Sequence, residues 1–506
     1  MKILPVEKIR EADQFTIAHE PISDIDLMER AATACFNWMV ANISNDSKVK
    51  VICGTGNNGG DGLAIARLMA GSGYKVDVYL SGSLEKLSQS AAINYSRLLS
   101  VSNCKIHYLS PEEDDPLKIQ KDDVVIDAIL GSGLARKVEG SLARLIRQIN
   151  MSGAIVISID VPSGLFCDES SIGSKEDAII QADYTLTFSP PKLAFFFPEN
   201  ENFLGNRHLL DIGILREFID QTECKNFFIE KNDCGKIIKK RNRFSHKGTF
   251  GHALLFSGSE GKMGAAILSA HACLRAGSGL VTAHIPRSGI NIVQSAIPEA
   301  MVDIDANDSI FTEVPDLSVY SAIAVGPGIG TAVDTQKALK LLIQNTSIPL
   351  VVDADAINIL GENRTWLSFI PKESIFTPHM KEFERLTGKT ANDFDRNQRQ
   401  REFSVRYGVY VILKGAFTAI TTPSGDCFFN PTGNPGMATG GSGDVLTGLI
   451  AGLMAQGYSS LESAVLGVYL HGLAGDLAME QWGQESLIAS DIINKLGKAF
   501  ISLYGQ

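Results

Sequence analysis

Two glycine-rich stretches carry residues whose types and spacing could do chemistry. Residues 54–62 read GTGNNGGDG, directly after the apolar run VKVIC and ahead of a helical stretch. Glycine lets a backbone approach a ligand closely, and a helix N-terminus offers unpaired N–H groups and positive potential; both suit a phosphate. Alone, such a loop is equally a tight turn needed for packing. It also departs from the dinucleotide fingerprint, since Asn57 and Asn58 intervene and Asp61 stands where an apolar helix start is expected. Two amides and a carboxylate at a strand end are groups that orient sugars or ligate a hard cation. Asp127, followed by GSGLARK at 131–137, and Asp160, in DVPSG at 160–164, close two further apolar runs. Either carboxylate alone reads as a cap or turn residue. Together with the asparagine pair they are hard to explain by packing.

The second stretch is NPGMATGGSGD at 434–444, ahead of the apolar helix VLTGLIAGLMAQG. It puts Gly441, Ser442 and Gly443 at a helix N-terminus, an anion hole for a transferring phosphoryl group. Asp444 then stands in the first turn. A carboxylate there also favours the helix dipole, so a plain N-terminal cap is the simpler account. Beside a phosphate hole, the same carboxylate is placed to deprotonate an attacking hydroxyl.

The elements that must position these groups alternate strand and helix in both halves. Strands are expected at 49–53, 75–80, 105–109, 124–130, 154–160 and 184–188, with helices at 62–70 and 89–99. Runs such as VVIDAIL and AIVISID, apolar throughout, belong to a parallel sheet covered on both faces. The second series has strands at 252–257, 280–285, 322–325, 350–353, 375–378, 409–414 and 417–421. Its helices fall at 265–276, 334–344, 444–455 and 461–480. The fold class is therefore α/β, as two three-layer α/β domains, the N-terminal one Rossmann-like. With 506 residues the chain is too long for one core. The expected division is a first domain at 1–220, a charged linker at 221–240 and a second domain at 241–506. Residues 6–44 read as helices that cover the first sheet or pack on another subunit.

A formal net charge of −11 argues against a nucleic-acid partner, which would require a basic surface. The eight cysteines lack metal-ligand spacing and any secreted disulfide pattern. The start, MKILPVEKIREAD, lacks the apolar core of a signal peptide, and no apolar run is long enough to span a bilayer. A cytoplasmic protein with no membrane partner is expected.

NNGGDG, then DAILGSGL, then DVPSG, in that order, resemble the signature of the NAD(P)H-hydrate epimerase family. The resemblance implies that Asn57, Asn58, Gly59, Gly60 and Asp61, with Gly131, Ser132, Gly133, Leu134, Ala135, Arg136 and Lys137, hold the phosphate and sugar parts of a hydrated NADH or NADPH. It implies that Asn58, Asp127 and Ser163 ligate a potassium ion and that Asp160 contacts the hydrated ring. Epimerisation requires a general acid or base, and Asp160 is the candidate.

The terminal GSGD resembles that of ribokinase-like small-molecule kinases, and most of all the ADP/ATP-dependent NAD(P)H-hydrate dehydratase branch. KGTFGH, SGSEGKMGAA, RAGSGLVT, GPGIG, VVDADAI, TPHMKEFERL and LKGAFT accompany it in order from residue 247 onward. By that resemblance the second domain is ribokinase-like. Lys414, Gly415, Ala416, Phe417 and Thr418 would bind ADP or ATP with magnesium, as would Asn434, Pro435, Gly436, Met437, Ala438, Thr439, Gly440, Gly441, Ser442 and Gly443. Gly328, His379 and Asp444 would touch the hydrate, Asp444 as the catalytic base. Asp353 and Asp355 would hold magnesium through water or serve only as strand-end turns. The ribokinase-like resemblance, with the helical N-terminus, implies a homo-oligomer. The rival reading is a vitamin kinase for hydroxymethylpyrimidine or hydroxyethylthiazole with a non-catalytic nucleotide-binding module ahead of it.

Overall fold

The computed structural model describes residues 1–109, 117–173 and 177–504. Two compact units divide the chain, one from Lys2–Cys224 with Asn392–Phe394, the other Met1 with Lys225–Ala391 and Asp395–Gln506.

The first unit is built on seven strands: β1 (Lys48–Cys53), β2 (Lys75–Ser81), β3 (Cys104–Leu109), β4 (Asp123–Ala128), β5 (Ile155–Ile159), β6 (Tyr184–Phe188) and β7 (Asn206–Leu210). All pair in parallel, in the order β3-β2-β1-β4-β5-β6-β7. The β4 sequence DVVIDA is buried at every position, as a central strand covered on both faces requires. The order reverses between β1 and β4, so the crevice beyond their C-terminal ends is where such a sheet takes a ligand. Helices α1 (Val6–His19), α2 (Asp24–Asn42), α3 (Asn57–Gly71), α4 (Gln89–Leu98) and α5 (Gly140–Met151) accompany it. Helix α3 begins at Asn57, five residues ahead of the expected start. The asparagines are therefore in its first turn, and Asp61 just beyond it, and not in a preceding loop.

The second unit holds a ten-stranded sheet: β8 (Asn226–Phe228), β9 (His252–Phe256), β10 (Leu280–Ile285), β11 (Met301–Ile304), β12 (Ala322–Val325), β13 (Leu350–Val352), β14 (Ile375–Phe376), β15 (Tyr410–Leu413), β16 (Ala419–Thr421) and β17 (Cys427–Phe429). Its order is β11-β10-β9-β12-β13-β14-β15-β16-β17-β8, antiparallel only at β15/β16 and β16/β17. Helices Met263–Ala276, Ser442–Ala455, Ser460–Trp482 and Ala489–Leu503 share one apolar core. Val333–Asn345 and Ala354–Glu362 share another. Helix Ser442–Ala455 lies close enough to Met263–Ala276 that a Cβ on Gly448 would collide with the Ser269 carbonyl. That contact fixes where the helix starts, and so where Asp444 stands.

Four strands were not expected from the sequence: β7, β8, β11 and β17. None of them but β17 has a fully buried residue, so no apolar run marks those three. The stretch expected as a linker, 221–240, instead holds β8, paired with β17, and helix Lys231–Ile237. Ile229 and Cys234 sink into the second core and pin this charged segment to it.

Candidate active sites

In the first unit the β1, β4 and β5 ends bring two residues to one backbone carbonyl, and one of the two also to a buried carboxylate. Asn58 Nδ2 donates to the Leu130 carbonyl at 3.0 Å, and Ser163 Oγ approaches the same oxygen at 3.1 Å. Ser163 Oγ and N–H also donate to the Asp127 carboxylate at 2.5 and 2.9 Å, and Ser158 Oγ adds a bond at 2.8 Å. Asp127 is fully buried. Burial raises its carboxyl above the usual range, against those bonds and one from the Ile129 N–H. Among the described residues no cationic side chain pairs with it, and buried Asn58 Oδ1 has no hydrogen-bond partner. An unpaired amide oxygen, a carboxylate and a backbone carbonyl form an oxygen-rich donor set that fits a monovalent cation.

Asp160 follows β5 with a φ of 66°, a left-handed conformation that only strong local contacts hold. Its N–H donates to the Leu186 carbonyl at 2.7 Å. The Ser132 N–H donates to its carboxylate at 3.0 Å, which ties the 131–137 loop to it. Lys192 Nζ, 2% exposed, stands 2.6 Å from the other carboxylate oxygen and also donates to Thr187 Oγ1 and the Phe188 carbonyl, both at 3.0 Å. Burial works against ionisation of Asp160, but Lys192 and Ser132 outweigh it and hold the carboxyl below its ordinary range. Asp61 has no such partner among the described residues; burial, and then Asp160, drive it well above that range. Within the loop, Lys137 is paired with Asp177 at 2.7 Å. Lys192 and the Leu130 carbonyl are members of this cluster that sequence reasoning missed.

In the second unit the ends of β13 and β15 meet the start of helix Ser442–Ala455. Asp353, 1% exposed, accepts from Lys414 Nζ at 3.1 Å and from Thr447 Oγ1 at 2.7 Å. With both oxygens engaged, it positions Lys414 more readily than it ligates magnesium. Gly441 caps the helix with φ 89°, which favours glycine. A Cβ on Gly443 would stand 3.2 Å from Lys414 Nζ and 3.8 Å from Asp353, so the first turn lies directly over that pair. Asp444 is in this turn, half-buried. Burial, and then the neighbouring Asp353, push its carboxyl up to about 6, with Lys414 pulling the other way. Two residues not foreseen brace the loop. His471, half-buried and held neutral at about 4 by desolvation, binds the Ser442 carbonyl at 2.9 Å. Asp476 accepts from the Gly433 N–H and from Asn434 Nδ2.

The remaining expected residues are dispersed around this point. Lys414 ends the β15 run, and Gly415 and Thr418 bond each other across its turn to β16. Gly328 lies beyond β12, where its carbonyl accepts from Ser259 Oγ at 2.7 Å. His379 caps helix Met380–Thr387: Nδ1 accepts from the Lys381 and Glu382 N–H groups and Nε2 faces Glu382 at 3.2 Å, so both ring nitrogens are engaged. Met437 turns away from the site, into the core against Gly475. Asp355 accepts from the Gly330 N–H and from Lys262. Among the described residues no three His, Cys, Asp or Glu side chains converge as a metal cage.

Twice in one chain, carboxylates and helix-start amides gather at the carboxyl edge of a parallel sheet, the arrangement of a two-domain α/β enzyme. Family models agree on the division: residues 24–194 match "YjeF-related protein N-terminus" and 253–498 match "NAD(P)H-hydrate dehydratase". The bifunctional NAD(P)H-hydrate repair enzyme of Coxiella burnetii is 35% identical over 492 residues, 97% of each chain. That of Escherichia coli is 32% identical over 93% of this chain and 88% of its own. The chain belongs to the bifunctional NAD(P)H-hydrate repair enzyme family. A crystal structure of an ADP/ATP-dependent NAD(P)H-hydrate dehydratase from Bacillus subtilis, co-crystallised with ATP and Mg2+, aligns at 30% identity with 55% of this chain and 98% of its own, with a TM-score of 0.48.

Proposed function

We propose that this enzyme repairs hydrated NADH and NADPH, the first unit interconverting the R and S hydrates and the second dehydrating the S form at the expense of ADP or ATP. The observation that carries the reading is Asp444, a carboxylate raised to about 6 in the first turn of a glycine-capped helix beside the Lys414–Asp353 pair. A group titrating there is ionised at neutral pH and basic enough to take a hydroxyl proton.

Hydroxide is a poor leaving group from a saturated ring carbon. Asp444 takes the proton of the ring hydroxyl as its oxygen attacks the terminal phosphorus of the nucleotide, whose bridging P–O bond breaks to release AMP or ADP. The Gly443 and Asp444 N–H groups, at the helix start with no intrahelical acceptor, stabilise the transferring phosphoryl group. The ring-nitrogen lone pair then expels phosphate as a C=N bond forms, and loss of a proton from the adjacent ring carbon forms the ring C=C bond, returns the C=N electrons to nitrogen and restores the reduced ring. Lys414 and residues 415–418 with 434–443 hold the nucleotide, and Gly328 and His379 border the hydrate. Magnesium bound to the nucleotide phosphates would neutralise their charge.

In the first unit residues 57–61 and 131–137 hold the hydrate, and Asp160, kept ionised by Lys192, takes a proton from the water that returns to the ring. A potassium ion held by Asn58, Asp127 and Ser163 would fix the loops around the ligand and compensate the buried Asp127. The eight cysteines are free thiols, which supports a cytoplasmic setting, and we place the enzyme there as a homo-oligomer.

The test supplies purified full-length protein with mixed R and S hydrates, magnesium, potassium and either nucleotide. Both epimers should be consumed, with one inorganic phosphate released per reduced nicotinamide restored. A stable phosphorylated product would favour a small-molecule kinase instead, and an untouched R hydrate would remove the epimerase assignment.

A further inference from the structure

Helix α1 carries Val6, Arg10 and Asp13 at spacings of four and three, which puts them on one stripe. Val6 packs on the apolar cluster that includes Val161 and Ala194, residues flanking Asp160 and Lys192 in the chain. Its N–H also donates to Asp168 at 2.9 Å, which ties the helix start to the segment after DVPSG. One turn on, the Arg10 guanidinium lies against the 131–137 loop so closely that a Cβ on Gly133 would collide with it. The preceding residue of that loop, Ser132, holds Asp160. Arg10 makes no ion pair among the described residues, whereas Lys137 of the same loop is taken by Asp177. An uncompensated, forked cation beside a glycine loop is suited to a phosphate.

Asp13 lies one turn further along the stripe. Burial, and then Asp160, raise its carboxyl to about 6, with Asp24 adding and Lys192 opposing. Asp160, by contrast, is held low. Two carboxyls driven apart in this way are what a reaction needing both a proton donor and a proton acceptor requires.

We propose that α1 forms a wall of the epimerase site, in which Arg10 grips a phosphate of the bound dinucleotide over Gly133 and Asp13 is the acid that protonates the departing hydroxyl. The proposal rests on the epimerase reading of the first unit. The ring-nitrogen lone pair forms a C=N bond as the C–O bond breaks, and the hydroxyl leaves as water with the Asp13 proton. Water adds to the opposite face, its proton passes to Asp160, and the C=N electrons return to nitrogen. Transfer of that proton from Asp160 to Asp13 resets the pair.

Epimerisation of R hydrate by the full-length protein, followed by chiral separation, gives KM and kcat for each variant. Arg10→Ala should raise KM about tenfold or more with kcat little changed, and Arg10→Lys should recover part of it. Asp13→Asn should lower kcat about a hundredfold with KM little changed, and Asp13→Glu should restore part of the rate. Nucleotide-dependent dehydration of S hydrate should stay at the parent rate in all four. Epimerisation within twofold of the parent in both Arg10→Ala and Asp13→Asn overturns the proposal, as does a loss that the conservative variants do not relieve. A parent protein without epimerase activity would instead defeat the reading beneath it.

Discussion

The lysines of the two sites are placed to opposite effect. In the first unit Lys192 contacts Asp160 itself at 2.6 Å. In the second Lys414 turns to Asp353, 3.1 Å away, and Asp444 has no cation of its own among the described residues. Burial is the largest influence on both Asp160 and Asp444, and in both it opposes ionisation. Only at Asp160 does direct contact with a cation reverse it. The same parts, a strand-end carboxylate, a glycine-rich helix start and a lysine, thus give one group locked as an anion and another that titrates near neutrality. Which carboxylate the lysine chooses decides what each can do.

The sharpest way to break that comparison is to neutralise Asp444. Asp444→Asn keeps the shape of the first helical turn and removes the base, so dehydration should fall about 10³-fold. Nucleotide binding, followed by calorimetry, and epimerisation should both survive. Dehydration near the parent rate would leave the second site without its central group.

Next is the lysine of the first unit. Lys192→Met leaves Asp160 largely desolvated and uncompensated, since one hydrogen bond from Ser132 cannot replace an ion pair at 2.6 Å. Removing one partner of a buried pair costs about 3–5 kcal/mol. Denaturant unfolding should show that loss in the first unit, and epimerisation should fall about a hundredfold as Asp160 takes up a proton. Dehydration should not change. If epimerisation and stability both persist, Lys192 is not what holds Asp160 ionised.

How much of this was legible in the chain follows from where each group lies. Buried strands such as β4 and β5 are marked by largely apolar runs, and Asn58, Asp127, Asp160 and Asp444 by strings that place them at strand ends or helix starts. Lys192 follows two prolines in a stretch with no motif, one of 46 basic residues of which most sequences keep nearly all in water. Its role exists only because the chain beyond β6 returns toward the end of β5. The Leu130 carbonyl has no side-chain signature at all. Thr447 and His471 lie in or face apolar helices, where a hydroxyl or an imidazole reads as a tolerated polar residue. The start of α3 is hidden in the sequence because glycine and asparagine are poor helix formers, and here tertiary packing against α2, α4 and β1 overrides their propensity.

The mildest test sets the two sites on one pH axis. A base works in its ionised form, so dehydration should rise as pH increases through about 6 and level off above it. At pH 5, one unit below that value, about one Asp444 in ten remains ionised, and the rate at saturating hydrate and nucleotide should be about tenfold below the plateau. Asp160 stays ionised throughout this interval because Lys192 and Ser132 hold it low, so epimerisation should gain nothing between pH 5 and 7. Lys414 lowers Asp444, so Lys414→Gln should move the dehydration limb to higher pH when nucleotide is kept saturating. Matching rises in the two activities, or a dehydration limb that Lys414→Gln leaves in place, would show that the lysines do not set the two carboxylates apart.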